Sequence, residues 1–526
     1  MAVSVVDLDR LTAAGVRSGA LAGKPITVLG LARSGIALAR FFADAGAEVT
    51  IYDGRAASEL ESAIDMLGGR RMDLRLGPDV QPASTWTGAT LIATSPSINP
   101  DFPTAEPHLR AALRAVVDAN RRDPTSAPAL VSEADLFLRL CPCPTVGVTG
   151  TKGKTTTSSL LTALLATDAA HPAVLGGNIG IPLVERLLEL TPEHRIVIEL
   201  SELQMPTLSR GTTVAVYTNV TADHLDRHGS LERYRAVKRR LAEMVDPDGA
   251  LVLNADDPVV AGYASIGTAD VVTYRRGPAA AGGLVVEGGW ILARNVVRPA
   301  ATGGGPGRPE IGGRIMPVAE LAIPGDHNVS NAMAAIAAAL LFGLSPEAIR
   351  AAAGTFSGVE HRLENVAVVA GVRFVNDSQG TQPDAVIAAL RAFPKPLVLI
   401  AGGRDKGVDL SGLGPVAAQR ADAAVLIGES GPTLARMFRA DGVPRVELAS
   451  SLDDAVDRAD AIARDLMAAA EPAAGASAEP SGEATVVLSP AAASFDMFVD
   501  YAARGRAFRA AVASLAERRN GEGSAR

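Results

Sequence analysis

The chain has almost no cysteine. Of 526 residues only Cys141 and Cys143 are cysteines, both within Cys-Pro-Cys-Pro, too few for a disulfide framework or a zinc site. Free thiols in a reducing cytoplasm are the expectation. Long apolar runs are missing too: no stretch reaches the roughly 20 residues that a membrane span needs. The opening MAVSVVDLDRLTAAG carries acids where a secretory leader needs bases. Nor is there a basic excess. A formal net charge of -8 and a pI near 5.5 leave no electrostatic footprint for nucleic acid or an anionic membrane. These absences predict a cytoplasmic protein that meets anionic ligands through individual loops and single basic side chains. Its length exceeds one core, so two to four domains are expected.

What is present begins with Val146 to Thr157, VGVTGTKGKTTT. A short buried strand runs into a glycine turn, and Lys154 and Thr155 open a helix. Backbone N–H groups of Gly150, Thr151, Lys152 and Gly153, with Lys154, Thr155 and Thr156 at the helix start, form a cradle for a triphosphate. Lys154 neutralises its oxygens and the Thr155 hydroxyl can ligate Mg²⁺. Val148 stands where the longer phosphate loop has glycine, so this is the G-x-x-G-K-T form. An ordinary turn before a helix is the alternative.

Nearer the N-terminus, PITVLGLARSGIALARFFADAGAEVTIYDGR reads as strand, turn, helix, strand. Gly30, Ala32 and Gly35 imitate a dinucleotide fingerprint, and Asp53 supplies its acid. A nicotinamide site, a nucleotide-diphosphate site and a ligand-free turn all remain open on this stretch. Leu91 to Thr94 is a further strand, followed by Ser95-Pro96-Ser97-Ile98. Glu133 to Leu140 is a helix.

Within the phosphate-loop unit, Gly176 to Gly180 form a glycine-rich loop, and the strand from Arg195 ends near Glu199, Ser201 and Glu202. The strand from Val214 leads into NVTADHLDRH. Asp223, His224, Asp226, Arg227 and His228 are read as a loop, followed by a helix that carries Lys238 on one face and Tyr234 and Leu241 on the other. A carboxylate at a strand end suits Mg²⁺ better than histidine does. The stretch from Arg275 to Ile315 is expected to be short antiparallel strands around a mobile glycine loop. PGDHNVSNAMAAIAAA puts Asn328 and Asn331 in a helix's first turn, and Phe356 to Arg362 reads as a hinge.

The last unit repeats the parallel pattern. Strands at Val372–Asn376, Leu397–Ala401, Ala423–Ile427 and Thr485–Leu488 end in Asp377-Ser-Gln-Gly-Thr381, GGRDKG, GES and SPAAASFDMF. A disordered insertion is expected at about 468–483 and a frayed tail after Ala516. The fold class is α/β with three domains: a Rossmann-like domain at 1–140, a central P-loop-type ATPase sheet at 141–358, and a Rossmann-like parallel sheet at 359–526.

Together, GTKGKTT, NVTADHLDRH and the His327-Asn328…Asn331 motif resemble the Mur ligase family of peptidoglycan synthesis over nearly the whole chain. Asn376-Asp377-Ser378…Thr381 and LSPAAASFDMF are similar to its D-glutamate-adding member. The resemblance implies that ATP phosphorylates the alanyl carboxylate of UDP-MurNAc-L-Ala and that D-glutamate attacks the acyl phosphate through a tetrahedral intermediate. It implies a monomer in the cytoplasm acting on small molecules, with ATP and two Mg²⁺ sites.

Position by position, the family's metal ligands would be Thr155, Glu199, His224 and Lys238, the last carbamylated. Asn328, Asn331 and Arg362 would join Gly150 to Thr156 on ATP. Arg33, Ser34, Arg55, Ser95, Pro96 and Asn178 would meet the UDP-substrate, and Thr381, Lys406, Ser489 and Phe495 would meet D-glutamate. Lys154, His224, Lys238 and Asp377 would serve catalysis, with His224 or Asp377 as candidate base. Departures from the family pattern are Gln379 for lysine, Gln382 for asparagine and Ser97 for glycine. A sister ligase with different amino-acid specificity, a nicotinamide oxidoreductase and a non-catalytic nucleotide switch are the alternatives.

Overall fold

The computed structural model describes residues 5–101, 106–223, 225–277, 282–304, 310–323, 325–405, 410–470 and 483–524. The chain divides into two compact units, Met1–Phe356 and Ser357–Arg526. Among the described residues there are three sheets, two in the first unit and one in the second.

The first sheet comprises β1 (Pro25–Leu29), β2 (Glu48–Asp53), β3 (Asp73–Leu76), β4 (Leu91–Thr94) and β5 (Ala129–Ser132). Its order is β3-β2-β1-β4-β5, parallel throughout. β1 and β4 are almost wholly apolar and buried because helices cover both faces. The order reverses beside β1, and there the helix Arg33–Asp44 starts.

The second sheet holds β6 (Thr145–Thr149), β7 (Ala173–Gly177), β8 (Arg195–Glu199), β9 (Val214–Tyr217), β10 (Ala250–Asn254), β11 (Asp270–Arg275), β12 (Gly283–Glu287), β13 (Trp290–Val297) and β14 (Glu310–Pro317). The order β14-β13-β12-β11-β10-β9-β6-β8-β7 puts β6 between β9 and β8, again where strand order turns. Only the β12–β13 and β13–β14 pairs are antiparallel. Residues 305–309, the tip of the expected glycine loop, lie outside the described residues. The helix Lys154–Leu165 and the alanine-rich helix Asp326–Leu341 share one apolar core with this sheet. Small alanine side chains let the second helix pack closely against the first.

The second unit has β15 (Glu364–Val369), β16 (Val372–Asn376), β17 (Leu397–Gly402), β18 (Ala423–Ile427), β19 (Arg445–Leu448) and β20 (Ala484–Leu488). Their order is β15-β16-β20-β17-β18-β19, parallel except for the β15–β16 hairpin.

Four expectations are corrected. Leu225–His228 is a short helix, not loop. Tyr234, Lys238, Leu241 and Ala242 form one buried face of the helix Leu231–Met244, because residues four apart stack on the same side. Residues 468–470 continue the helix Leu452–Ala470, while 471–482 lie outside the described residues. The polar tail is helical to Ser524, and Arg519 anchors it 3.0 Å from the buried Asp460. The two cysteines are free, with their Sγ atoms 3.5 Å apart. No helix among the described residues is long and apolar enough to cross a membrane.

Candidate functional site

The turn after β6 is shaped by two positions where only glycine fits. Gly150 has φ 150°, and a Cβ there would lie 1.9 Å from Thr218 Oγ1. Gly153 has φ 85° at the helix N-cap, and its missing Cβ leaves room for Asn331, whose Oδ1 would be only 2.2 Å away. The backbone is thereby wrapped around the helix N-terminus, which favours anions. Asn219, just beyond β9, braces it. Its Oδ1 accepts from Lys152 N at 2.9 Å and its Nδ2 donates to Lys152 O at 3.0 Å.

Two lysines converge on this turn. Lys154 Nζ donates to the carbonyls of Gly150 and Thr151, both at 2.9 Å. Lys238, 0 % exposed, donates to Thr149 Oγ1 at 3.3 Å and Gly150 O at 3.2 Å. Burial, reinforced by the neighbouring Lys154 charge, pushes the Lys238 amine down to about 7. Its Nζ lies 5.7 Å from the centroid of Tyr234, and the Tyr234 hydroxyl lies 2.9 Å from Thr151 Oγ1. Tyr234 therefore ties Lys238 to the loop, and the i, i+4 spacing was the signal for it.

A carboxylate completes the cluster. Glu199, 1 % exposed at the end of β8, accepts from Thr155 Oγ1 at 2.8 Å and from Asn178 Nδ2 at 2.8 Å. A hydroxyl and a carboxylate side by side at a phosphate-type turn are hard oxygen donors, the set that Mg²⁺ prefers. The residues present fit that ion. Lys152 Nζ, at the loop's outer rim, pairs with Asp223 at 3.3 Å. Thr156 follows, half-buried, on the helix, and Asn328 Oδ1 accepts from Asn331 Nδ2 at 3.1 Å. His224 lies outside the described residues.

The first-sheet turn is differently equipped. Gly35 presses on Gly30, where a Cβ would sit 1.7 Å from Gly30 O. The Asp53 carboxylate accepts from Leu31 N at 2.8 Å and from Arg55 Nε and Nη2 at 3.0 and 2.7 Å. Those bonds hold it below the usual carboxylate range against the opposing effect of burial. The acceptor that a ribose would need is already engaged. Ser95 and Ser97 hydroxyls lie 3.2 Å apart, with the Ser95-Pro96-Ser97-Ile98 turn over Gly30. Ser34 is half-buried at the helix start. Arg33 reaches away from this turn to the carbonyls of Gly177, Asn178 and Gly180. A cavity of about 360 Å³ alongside is lined by Thr94, Asn99, Arg114, Ser132 and Thr207 among others, and none of the six expected UDP-substrate residues lines it.

In the second unit, Asp377 and Ser489 lie at the ends of adjacent β16 and β20. Ser489 Oγ donates to Asp377 Oδ2 at 2.6 Å, and Leu363 N donates to Oδ1 at 3.2 Å. Burial raises the Asp377 carboxyl to about 6, offset in part by these bonds and by the Arg362 charge. Gly380 makes the pair possible, since a Cβ would fall 2.3 and 2.5 Å from its two oxygens. Thr381 follows, its N–H on Gln379 O at 2.7 Å. Phe495 is 65 % exposed on the segment after β20. Lys406 lies outside the described residues.

Sequence reasoning missed Arg504. It is buried, with its guanidinium lowered to about 10 by desolvation, and it binds Ser378 Oγ and O at 3.0 Å and the carbonyls of Ala492 and Ala493. It fixes the two loops that flank Asp377 and Ser489. One arginine among the five of its helix gives no sequence signal of this.

Residues 148–339 match the Mur ligase middle domain and residues 361–472 the Mur ligase, glutamate ligase domain. The UDP-N-acetylmuramoylalanine–D-glutamate ligase of Pelotomaculum thermopropionicum is 35 % identical over 94 % of this chain and 98 % of its own. The protein of that name from Acidobacterium capsulatum is 36 % identical over 93 % and 96 %. Among solved structures, MurF from Acinetobacter baumannii overlays with a TM-score of 0.51 at 16 % identity, covering 96 % of this chain and 98 % of that one. At that identity it speaks for the fold alone.

Proposed function

Since the chain belongs to the Mur ligase family, we propose that it joins D-glutamate to UDP-N-acetylmuramoyl-L-alanine, converting ATP to ADP and phosphate in peptidoglycan precursor synthesis. What carries the reading is the convergence of Lys154, Lys238, Thr155 and Glu199 on one glycine turn, in a chain whose relatives along more than nine-tenths of its length bear this ligase name.

The roles follow from charge. ATP and the muramoyl carboxylate are both anions, so their approach needs cations and aligned dipoles. The N–H groups of Gly150 to Thr156 and the Lys154 ammonium take the phosphates, with Asn328, Asn331 and Arg362 on the rest of the nucleotide. Mg²⁺ screens the phosphate oxygens when bound; Thr155 and Glu199 would hold one ion, with His224 and a carbamylated Lys238 the candidates for a second. The buried Lys238 amine, lowered to about 7, supplies the neutral form that carbamylation needs. Carbamylation replaces a cation that repels metal with oxygens that attract it.

On the amino-acid side, Thr381, Lys406, Ser489 and Phe495 bind D-glutamate, and Asp377 takes the proton that its ammonium must lose before attack. The UDP moiety is received around Ser34, Arg55, Ser95 and Pro96 at the carboxyl edge of the first sheet, where doubly wound sheets bind ligands. The polypeptide acts as a monomer in the cytoplasm.

Phosphate release measured with each component omitted in turn tests the whole. The expected result is release only when ATP, Mg²⁺, UDP-MurNAc-L-Ala and D-glutamate are all present. Equal turnover with L-glutamate would overturn the substrate assignment.

A further inference from the structure

One loop of the central sheet is gripped by the first sheet at both ends. The segment from the end of β7, Gly177 to Val184, has Gly177 at φ 96° and Gly180 at φ 68°. Arg33, the first residue of its helix, meets its carbonyls: Nη1 donates to Gly180 O at 3.1 Å, and Nη2 donates to Gly177 O at 3.3 Å and Asn178 O at 3.2 Å. At the other end the buried Glu133 accepts from Val184 N at 3.3 Å.

Within the Arg33 grip sits Asn178. Its N–H donates to Glu199 O at 2.9 Å, and its side chain donates to Glu199 Oε1 at 2.8 Å. Glu199 Oε2 is the acceptor for Thr155. A planar guanidinium that spans three carbonyls fixes a loop in position and orientation, which an ammonium cannot do.

We propose that Arg33 is a positioning residue for the nucleotide-metal site rather than a ligand of the UDP-substrate: it holds the 177–180 loop so that Asn178 orients the Glu199 carboxylate. This assignment rests on the ligase reading for the identity of the metal-nucleotide site, and it replaces the substrate contact that the resemblance implied for Arg33. Losing a partner that orients a metal-binding carboxylate typically costs about 10- to 100-fold in metal affinity or activity.

The test is calorimetric binding of a non-hydrolysable ATP analogue to the full chain across a Mg²⁺ series, with no UDP-substrate present. Arg33→Ala is expected to raise the half-saturating Mg²⁺ concentration about tenfold, Asn178→Ala to do the same, and Arg33→Lys to recover only part. In the double variant the two effects should not add, since both break one relay. Additive losses would mark a general loosening of the fold and overturn the proposal. So would an unchanged Mg²⁺ series in Arg33→Ala accompanied by a raised KM for UDP-MurNAc-L-Ala, the signature of a direct substrate ligand. Failure of the unmodified chain to release phosphate with D-glutamate would instead count against the ligase reading, leaving the Mg²⁺ comparison interpretable.

Discussion

Two glycine turns in the first unit share a scaffold and differ in what looks into them. Each follows a buried parallel strand, each opens a helix, and each lies where its sheet's strand order reverses. In the turn after β1 the charged groups are already consumed: Asp53 by Leu31 N–H and Arg55, and Arg33 by the carbonyls of a neighbouring loop. In the turn after β6, Lys154 and Lys238 both donate to oxygens of the turn and of the strand end before it, while Thr155 and Glu199 stand together as oxygen donors. Backbone geometry alone therefore does not tell the two turns apart. The side chains directed at them do.

The largest expected effect is at Lys154. Lys154→Ala should lower phosphate release about 10³-fold, whereas a loss under tenfold would place the triphosphate elsewhere. Lys238→Ala should cost about 10²-fold. Carbon dioxide depletion should lower activity of the unmodified enzyme in a way bicarbonate restores; indifference to bicarbonate would reject carbamylation.

A smaller effect concerns the seam between the two turns. Burial raises Glu133 to about 7, so the folded chain holds a proton there that the unfolded chain releases above its ordinary value of 4.5. Stability from this group is full below that value and is lost as pH rises through 7. Glu133→Gln keeps an acceptor for Val184 N–H and has no charge to bury. Its unfolding free energy should match the parent's near pH 4 and exceed it at pH 8 by up to about 3 kcal/mol, read as a higher melting temperature. Identical pH profiles would refute this. The smallest effect expected is none: NADH titrated to millimolar should leave the protein's fluorescence and melting unchanged, and tight binding would restore the dinucleotide reading of the first turn.

The buried strands were legible because both faces are covered, so β1, β4, β6 and β18 read as short apolar runs. β3 and β19 were not, since they are edge strands of only four residues, too short for the polar/apolar alternation of DLRL and RVEL to stand out from loop sequence. The glycine turn after β6 was legible because glycines and lysine occur together locally. Asn178 on Glu199, Arg33 on the 177–180 loop and Arg504 on Ser378 join positions from 21 to 147 residues apart, and only the fold brings them together. The helical tail was misread because its polar sequence hides its ion pairing to the preceding helix.

Labelling the alanyl carboxylate of UDP-MurNAc-L-Ala with ¹⁸O and following the label through one turnover tests most directly whether this chain activates that carboxylate with ATP. One labelled oxygen in the released phosphate is the expected result. Unlabelled phosphate formed alongside ligated product would contradict it.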